Sequence, residues 1–518
     1  MKRIIICKDL IISLIFFFFT ANLIFCQKKS EKDLQGKADL YKAKKNALEF
    51  LEDSLTVKKF GIISDSIWNF AELGMQELRS SAILIRELVE EGFTVEKGVS
   101  GMPTCFVATW GSGRPVIGIL GEYDALPMLS QKALTPVQDP IIPGAPGHGC
   151  GHNMMGTAGV AAAVAVKRSM ELNNIGGTIK FFGSPAEETL ISRPYMVRDG
   201  VFKDADAVID NHASSELSTG YGVSGSAVIS VLFSFKGKTA HAAGAPWNGR
   251  SALDAVELMN VATNYLREHL FYTYRMHYII TEGGGAPNIV PDRATVWYYL
   301  RNTDDRLEEM FKRVVDCARG AVLASGTVLD TINVISAIHQ KHSNKGLAET
   351  IQRNIELIGM PEWTEPENTF AKSFQKALGS EEKGYHLKVS SLSQPEGIQT
   401  GGASTDVGEV SLVAPTATLN FPGLIPGVIG HHWSTVASGY GKASWKGLNT
   451  GAKVISATAL DLLTKPKLLE AIRTEFSEYS KDHPYKSFLP EGARPPLDLN
   501  REVMDKYRDA MMKQVSGK

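Results

Sequence analysis

The sequence predicts an α/β protein with a mixed, mainly parallel sheet, interrupted by a smaller α+β unit. Three observations carry this. Short apolar runs alternate with helical stretches through the first part of the chain, as when parallel strands are joined by helical crossovers. Near Gly222 the style shifts to strands with one half-covered face. After about residue 338 the first style returns, so the first domain is left and re-entered. A chain of 518 residues is too long for one ordinary core, and two or three domains are expected.

The elements follow in order. Residues 31–60 are mixed and charged and predict an opening helix. "SIWNFAELGMQELRSSAILIRELVEEGF" continues it, with Ile83, Leu84, Ile85 and Leu88 at helical spacing and Gly92 able to cap the end. Strands are predicted over "CFVATW", "PVIGILGEYDALP", "GTIKFFGSPAEE" and "DAVIDNHAS". The small-residue stretch "NMMGTAGVAAAVAVKRSMEL", between the second and third, reads as helix. In the interrupting unit, "AVISVLFSFKGKTAH" sets Val231, Phe233 and Phe235 against Ser230, Leu232 and Ser234. A helix with Ser251 as N-cap follows, then the strand "ATVWYYLR", a helix from Leu307 to Ala324, and a last strand. This strand, helix, strand, helix, strand unit spans about 224–338. The flanking segments, 40–223 and 339–466, form one domain, and the polar, proline-bearing tail over 467–518 is expected to wrap the surface.

Composition narrows the function. Hydrophobic residues make up 43% and charged residues 21%, which is globular. A net charge of −1 lacks the basic excess of a broad nucleic-acid surface. The N-terminus has basic residues, an apolar run from Leu10 to Phe19 too short to span a bilayer, then smaller residues. It reads as a secretion signal over 1–26, so the protein is expected to be periplasmic or secreted. Lipidation at Cys26 is the alternative, and membrane attachment is expected only then; the bulky Phe25 before it disfavours it. Cys105, Cys150 and Cys317 are too far apart and odd in number for a disulfide framework, which favours chemistry for at least one.

Four polar clusters stand where apolar strands end, the edge at which open α/β sheets bind ligands. "GEYDALP" carries Glu122 and Asp124, by itself equally a solvated turn. "GHGCGHN" carries Cys150 and His152; in extended chain residues two apart face one way. Thiolate and imidazole suit a borderline-soft cation such as Zn²⁺. A buried thiol beside a hydrogen-bonded histidine is the other reading. "SPAEE" carries Glu187 and Glu188, which in extended chain project oppositely, one toward a metal and one toward a water, unless they are surface acids. "DNHAS" carries His212, and "PGVIGHHWS" adds His431 and His432. Together, Cys, His, Glu, Glu and His on one sheet edge are what a metal-activated hydrolase needs. A dinucleotide site is excluded, because "GSG" at 111–113 lacks the later glycine spacing.

These segments, with "KGKTAHAAGAPWNGRSALDAV" and "GGGAPNIVPDRATVWYYLR", resemble peptidase family M-twenty, the aminoacylase and carboxypeptidase metallopeptidases, in its amidohydrolase branch. "GASTDVGEVS" and "HHW" are most similar to the aminobenzoyl-glutamate utilisation protein B group. The resemblance covers about 45–465. It implies a zinc-peptidase-like catalytic domain with two divalent ions, Zn or Mn, interrupted by a lid that also forms a homodimer. By motif it implies Cys150, His152, Glu188, His212 and His431 (or His432) as ligands and Glu187 as general base, with Asp124 supporting the site. Glu122 departs from many relatives and has no implied role. His241 is implied to steady the oxyanion, often across the dimer, and Asn288 with Arg301 to hold a substrate carboxylate. The implied reaction is hydrolysis of an amide in a small carboxylate-bearing substrate of N-acyl amino acid or aminobenzoyl-glutamate type. A dipeptidase, or a catalytically silent partner subunit of a hetero-oligomer, are the alternatives.

Overall fold

The structure is a computed structural model that describes residue 36, residues 38–394 and residues 403–516. The expected signal over 1–26, Cys26 included, and Gly402 at the head of "GASTDVGEVS" lie outside the described residues. Helix α1 (38–52) is followed by α2 (Ser54–Phe70), with Asp53 between them accepting from the Thr56 amide as N-cap. Then come α3 (Leu78–Glu90), β1 (Thr94–Lys97), β2 (Phe106–Ser112), β3 (Val116–Gly121), α4 (His152–Asn173), β4 (Gly177–Gly183), α5 (Ser192–Arg198) and β5 (Ala207–Ser214). Two short strands, β6 (Ser218–Thr219) and β7 (Gly222–Ser224), lead to the second sheet.

The main sheet has seven strands in the order β1-β2-β4-β3-β5-β13-β6, where β13 (Thr416–Pro422) arrives after the insertion. The central strands β4, β3, β5 and β13 are parallel, and the margins pair antiparallel. The reason lies in the side chains: β3 is buried at every position, as a parallel strand covered on both faces must be. Ile117 and Ile119 face a core shared with α2, α4 and α12 (Lys442–Thr464), whereas Leu120, Phe182 and Val208 face α5 and a core that continues into the insertion. The small residues of α4 and α12 let helix and sheet approach closely. A Cβ on Gly447 of α12 would lie 2.0 Å from the Pro422 carbonyl oxygen of β13.

The insertion is a four-stranded antiparallel sheet, β11-β8-β10-β9, with two helices packed on it. Its elements are β8 (Ala227–Lys236), α6 (Ala252–Leu266), β9 (Arg275–Glu282), β10 (Arg293–Asn302), α7 (Asp304–Ser325) and β11 (Val328–Ile338). Ser251 caps α6 by accepting from the Asp254 amide. Strand β9 is absent from the sequence reading. It is an edge strand whose Ile279, Ile280, Thr281 and Glu282 are all exposed, so it lacks the alternation that betrays a half-buried strand.

Strand β12 (Lys341–Ser343), α8 (Lys345–Ile358), α9 (Glu365–Ala377), α10 (Val407–Ser411) and α11 (Trp433–Ser438) complete the first domain. The tail is more ordered than a polar wrap: α13 (Pro466–Asp482) packs on α8, and α14 (Arg501–Ser516) returns to α2. Between them the chain crosses the point where β11 leaves the insertion. Phe488 stacks on His339 with centroids 4.0 Å apart, and the Tyr485 hydroxyl donates to Glu409 at 2.6 Å. Arg508 of α14 donates to Glu72 at 2.8 Å, and Met504 is fully buried.

Gly447→Ala is expected to cost about 1–3 kcal/mol through overpacking. Gly320→Ala, on an exposed turn of α7 with nothing within 4 Å of the added carbon, should gain about 1 kcal/mol of helix propensity. Urea unfolding midpoints of the two variants check both signs.

Candidate metal centre

Because β4, β3, β5 and β13 are parallel, their carboxyl ends share one edge. Glu122 and Asp124 leave β3, Glu187 and Glu188 follow β4, His212 lies near the end of β5, and His431 lies in the loop after β13. Cys150 and His152 arrive from the loop that opens α4. Their convergence has a different cause from the extended chain expected: Gly151 sits at φ +88° and His152 begins the helix. Only glycine takes that left-handed turn freely. Likewise Glu187 and Glu188 are not extended; they form a 3₁₀ turn flanked by Ala186 and Leu190 at φ +54° and +61°. Such strain in non-glycine residues is typical of functional sites. It is held by Glu77, fully buried, whose carboxylate accepts from the Ala186 amide at 2.8 Å and the Thr104 hydroxyl at 2.9 Å. His431 is pinned beside Cys150 because its amide donates to the Gly149 carbonyl at 2.9 Å.

Cys150 belongs to two donor groups. The ligand atoms of Cys150, His152 and His212 lie within 4.8 Å of one another, and so do those of Cys150, Glu188 and His431. A third group joins Glu122, His152 and Glu187. His152 and His212 turn Nε2 toward the site because the other nitrogen is engaged: His152 Nδ1 donates to Asp124 at 2.8 Å, and His212 Nδ1 to the Ala213 carbonyl at 2.8 Å. Asp124 also accepts from the Glu188 amide at 2.9 Å, so one carboxylate orients two donors. His152 Nε2, Glu122 Oε2 and Glu188 Oε1 are buried with no hydrogen-bond partner. Buried orphan acceptors of this kind are costly, and divalent ions in these donor groups would give them partners. The residues therefore fit divalent metal.

The electrostatics agree. Burial pushes the Cys150 thiol up, but the charges of His212 and His152 outweigh it and hold the thiol well below its usual range, toward the thiolate that metals bind. Burial, then the neighbouring Glu122 charge, push the Glu187 carboxyl well above the ordinary range. Glu122, without a role in the sequence reading, lies 3.4 Å from His152 Nε2 and 2.6 Å from Arg193 Nη1. Arg193 is completely buried and also donates to Asp406.

Of the two late histidines, His431 reaches the centre, its Nε2 3.3 Å from Glu188. His432 instead caps α11 through Ser434. Arg301 lines the cavity beside these donors. His241 and Asn288 do not; they sit together on the exposed face of the insertion, where the Ala242 amide donates to the Asn288 carbonyl. Glu77 and Arg193 escaped the sequence reading entirely, since a single acid or arginine in a helical stretch carries no pattern. Asp406, within "GASTDVGEVS", has no role in that reading either.

The sequence profile of peptidase family M20/M25/M40 matches residues 118–511. The chain belongs to this M20 family. As an M20 enzyme it is a metal-dependent amidohydrolase. It is 35% identical to the B subunit of p-aminobenzoyl-glutamate hydrolase from Escherichia coli (strain K12), over 86% of this chain and 98% of that protein. It is 30% identical to the Xaa-Arg dipeptidase of Mus musculus, over 87% and 96%. In fold it is similar to the aminobenzoyl-glutamate utilization protein from Klebsiella pneumoniae (TM-score 0.56, 15% identity, 80% of this chain and 97% of that). It is also similar to a dinuclear metal-binding M20 peptidase of Bacillus subtilis (TM-score 0.51, 16% identity, 79% and 99%).

Asp124→Asn keeps the shape but removes the charge that orients His152. It should weaken metal binding about 10–100-fold, as loss of an outer carboxylate does, measured by competition with a chelator.

Proposed function

We propose that the protein hydrolyses the amide bond of N-acyl amino acids at a site whose donors, Cys150 common to two groups of them, would hold two divalent ions. His152 and His212 would hold one divalent ion with the Cys150 thiolate, and Glu188 and His431 would hold another. The observation that carries this is the single sulfur common to both donor groups. Thiolate and imidazole favour Zn²⁺, while the carboxylates also suit Mn²⁺. When bound, such ions polarise the amide carbonyl and make water acidic enough to react near neutrality.

The protein's own groups do the rest. Glu187 takes the proton of the attacking water and returns it to the leaving amine nitrogen. Glu187 stands beside the donors, its carboxylate 3.7 Å from His152 Nε2, where it can reach a water held at the site. Asp124 keeps the His152 tautomer fixed. Arg301, one nitrogen anchored on the Ser404 hydroxyl at 2.5 Å, offers its remaining N–H groups to a substrate carboxylate. His241 and Asn288, remote from this cavity, would serve the site of a second copy in a homodimer, with His241 at the oxyanion and Asn288 on the carboxylate. Similarity to one subunit of a bacterial hydrolase also supports a related partner subunit. The N-terminal pattern of basic, apolar and small residues supports export.

A dipeptidase reading draws on the similarity to the Xaa-Arg dipeptidase. The test is a screen of metal-loaded protein against N-acyl amino acids, aminobenzoyl-glutamate and dipeptides. Cleavage of dipeptides alone would overturn the acyl preference, and a purified chain that binds metal yet cleaves nothing would point to a silent subunit. Glu187→Gln is expected to lower kcat by about 10²–10⁴ while metal content by elemental analysis stays at the wild-type value.

A further inference from the structure

The cavity beside the metal donors, about 780 Å³, is lined by the acids Glu122, Glu187, Glu188 and Asp210 and by the cations Arg275, Arg301 and Lys341. Arg275 and Arg301 enter from neighbouring strands β9 and β10 of the insertion, where they are paired in register. Lys341 enters separately, from β12 of the first domain. Among the described residues, none of the three has a carboxylate oxygen within 4.0 Å. Lys341 Nζ donates to the Thr418 hydroxyl at 2.9 Å, and that hydroxyl donates onward to Asp210 at 2.7 Å. Thr418 and Asp210 are paired in register on β13 and β5, two residues before Asn420 and His212, so the ammonium is anchored deep on the cavity floor. The hydroxyl engages one of its three N–H groups. Burial lowers the Lys341 pKa, so the site gains from an anion brought to it.

We propose that, for a glutamate-type conjugate, Lys341 is the specificity residue that takes the second carboxylate of the substrate. The inference rests on the amidohydrolase reading above and deepens it. Arg301, on the insertion, takes the carboxylate common to all amino acids, and Lys341, on the floor, takes the side-chain carboxylate. A conjugate with a neutral side chain leaves the ammonium with no carboxylate in direct contact, Asp210 being reached only through the Thr418 hydroxyl. Sites built around such a pair reject the analogue that lacks it far more strongly than a missing methylene.

The test uses the metal-loaded full chain with N-benzoyl-glutamate and N-benzoyl-glutamine. Wild-type kcat/KM should favour the glutamate conjugate by about 10-fold or more. Lys341→Met should abolish that preference, mainly through KM, leaving the glutamine conjugate within about threefold and metal content unchanged; Lys341→Arg should restore part of it. An equal loss on both conjugates would assign Lys341 a structural role beside Asp210, and no loss on either would overturn the proposal. Should Lys341→Met fail to fold, Lys341→Gln keeps a donor to Thr418 and serves instead. A binding arm separates this idea from the reaction: thermal shifts with glutarate and butyrate, in wild type and variant, need no turnover. A glutarate advantage confined to wild type supports Lys341 even if no amide is cleaved, and equal shifts in both proteins refute it even if amides are.

Discussion

One thiolate stands within reach of four other donors here because several strands of the same direction end together. The parallel block β4-β3-β5-β13 supplies that edge, and every ligand candidate hangs from it. Gathering Glu122, Asp124, Glu187, Glu188 and Asp210 in one place is electrostatically unfavourable; burial first, and then neighbouring negative charge, push the carboxyl groups of Glu187 and Glu188 well above the ordinary range. Arg193 offsets part of the cost by standing between Glu122 and Asp406, and bound cations would offset the rest. The apolar contact of α4 and α12 with the far face of the sheet keeps the edge assembled against this repulsion.

The donors are aimed by backbone as much as by side chains. Gly151, Ala186, Leu190 and His431 all occupy left-handed conformations, and each turns a functional residue into the centre. Amide hydrogen bonds from Ala186 to Glu77, Glu188 to Asp124 and His431 to Gly149 hold those turns in place. The centre is therefore preorganised by groups that would not themselves touch a metal.

Much of this was legible in the sequence, for identifiable reasons. Strands β3, β4 and β5 are buried on both faces and show as plain apolar runs ending in polar clusters, which located Glu122, Asp124, Cys150, Glu187, Glu188 and His212 together. What failed was local geometry. Extended chain was assumed at Gly151 and at Glu187, where left-handed and 3₁₀ turns do the positioning. The choice between His431 and His432 depended on a hydrogen bond to Gly149, far earlier in the chain, which no local pattern encodes. Glu77, Arg193 and Lys341 were invisible for the same reason: their meaning comes from partners distant in sequence. Edge strand β9 was missed because both its faces meet solvent over much of its length.

The crossing of the tail over the junction has a mechanical consequence. The ring of Phe488 lies flat on His339, one residue past the end of β11, and Tyr485 is tied to Glu409 in the other domain. Farther on, α14 is moored to Glu72 near the start of the chain. Any swing of the insertion about residues 339–340 must peel this belt away. The tail, far from the metal edge in sequence, thus restrains the junction between the two domains.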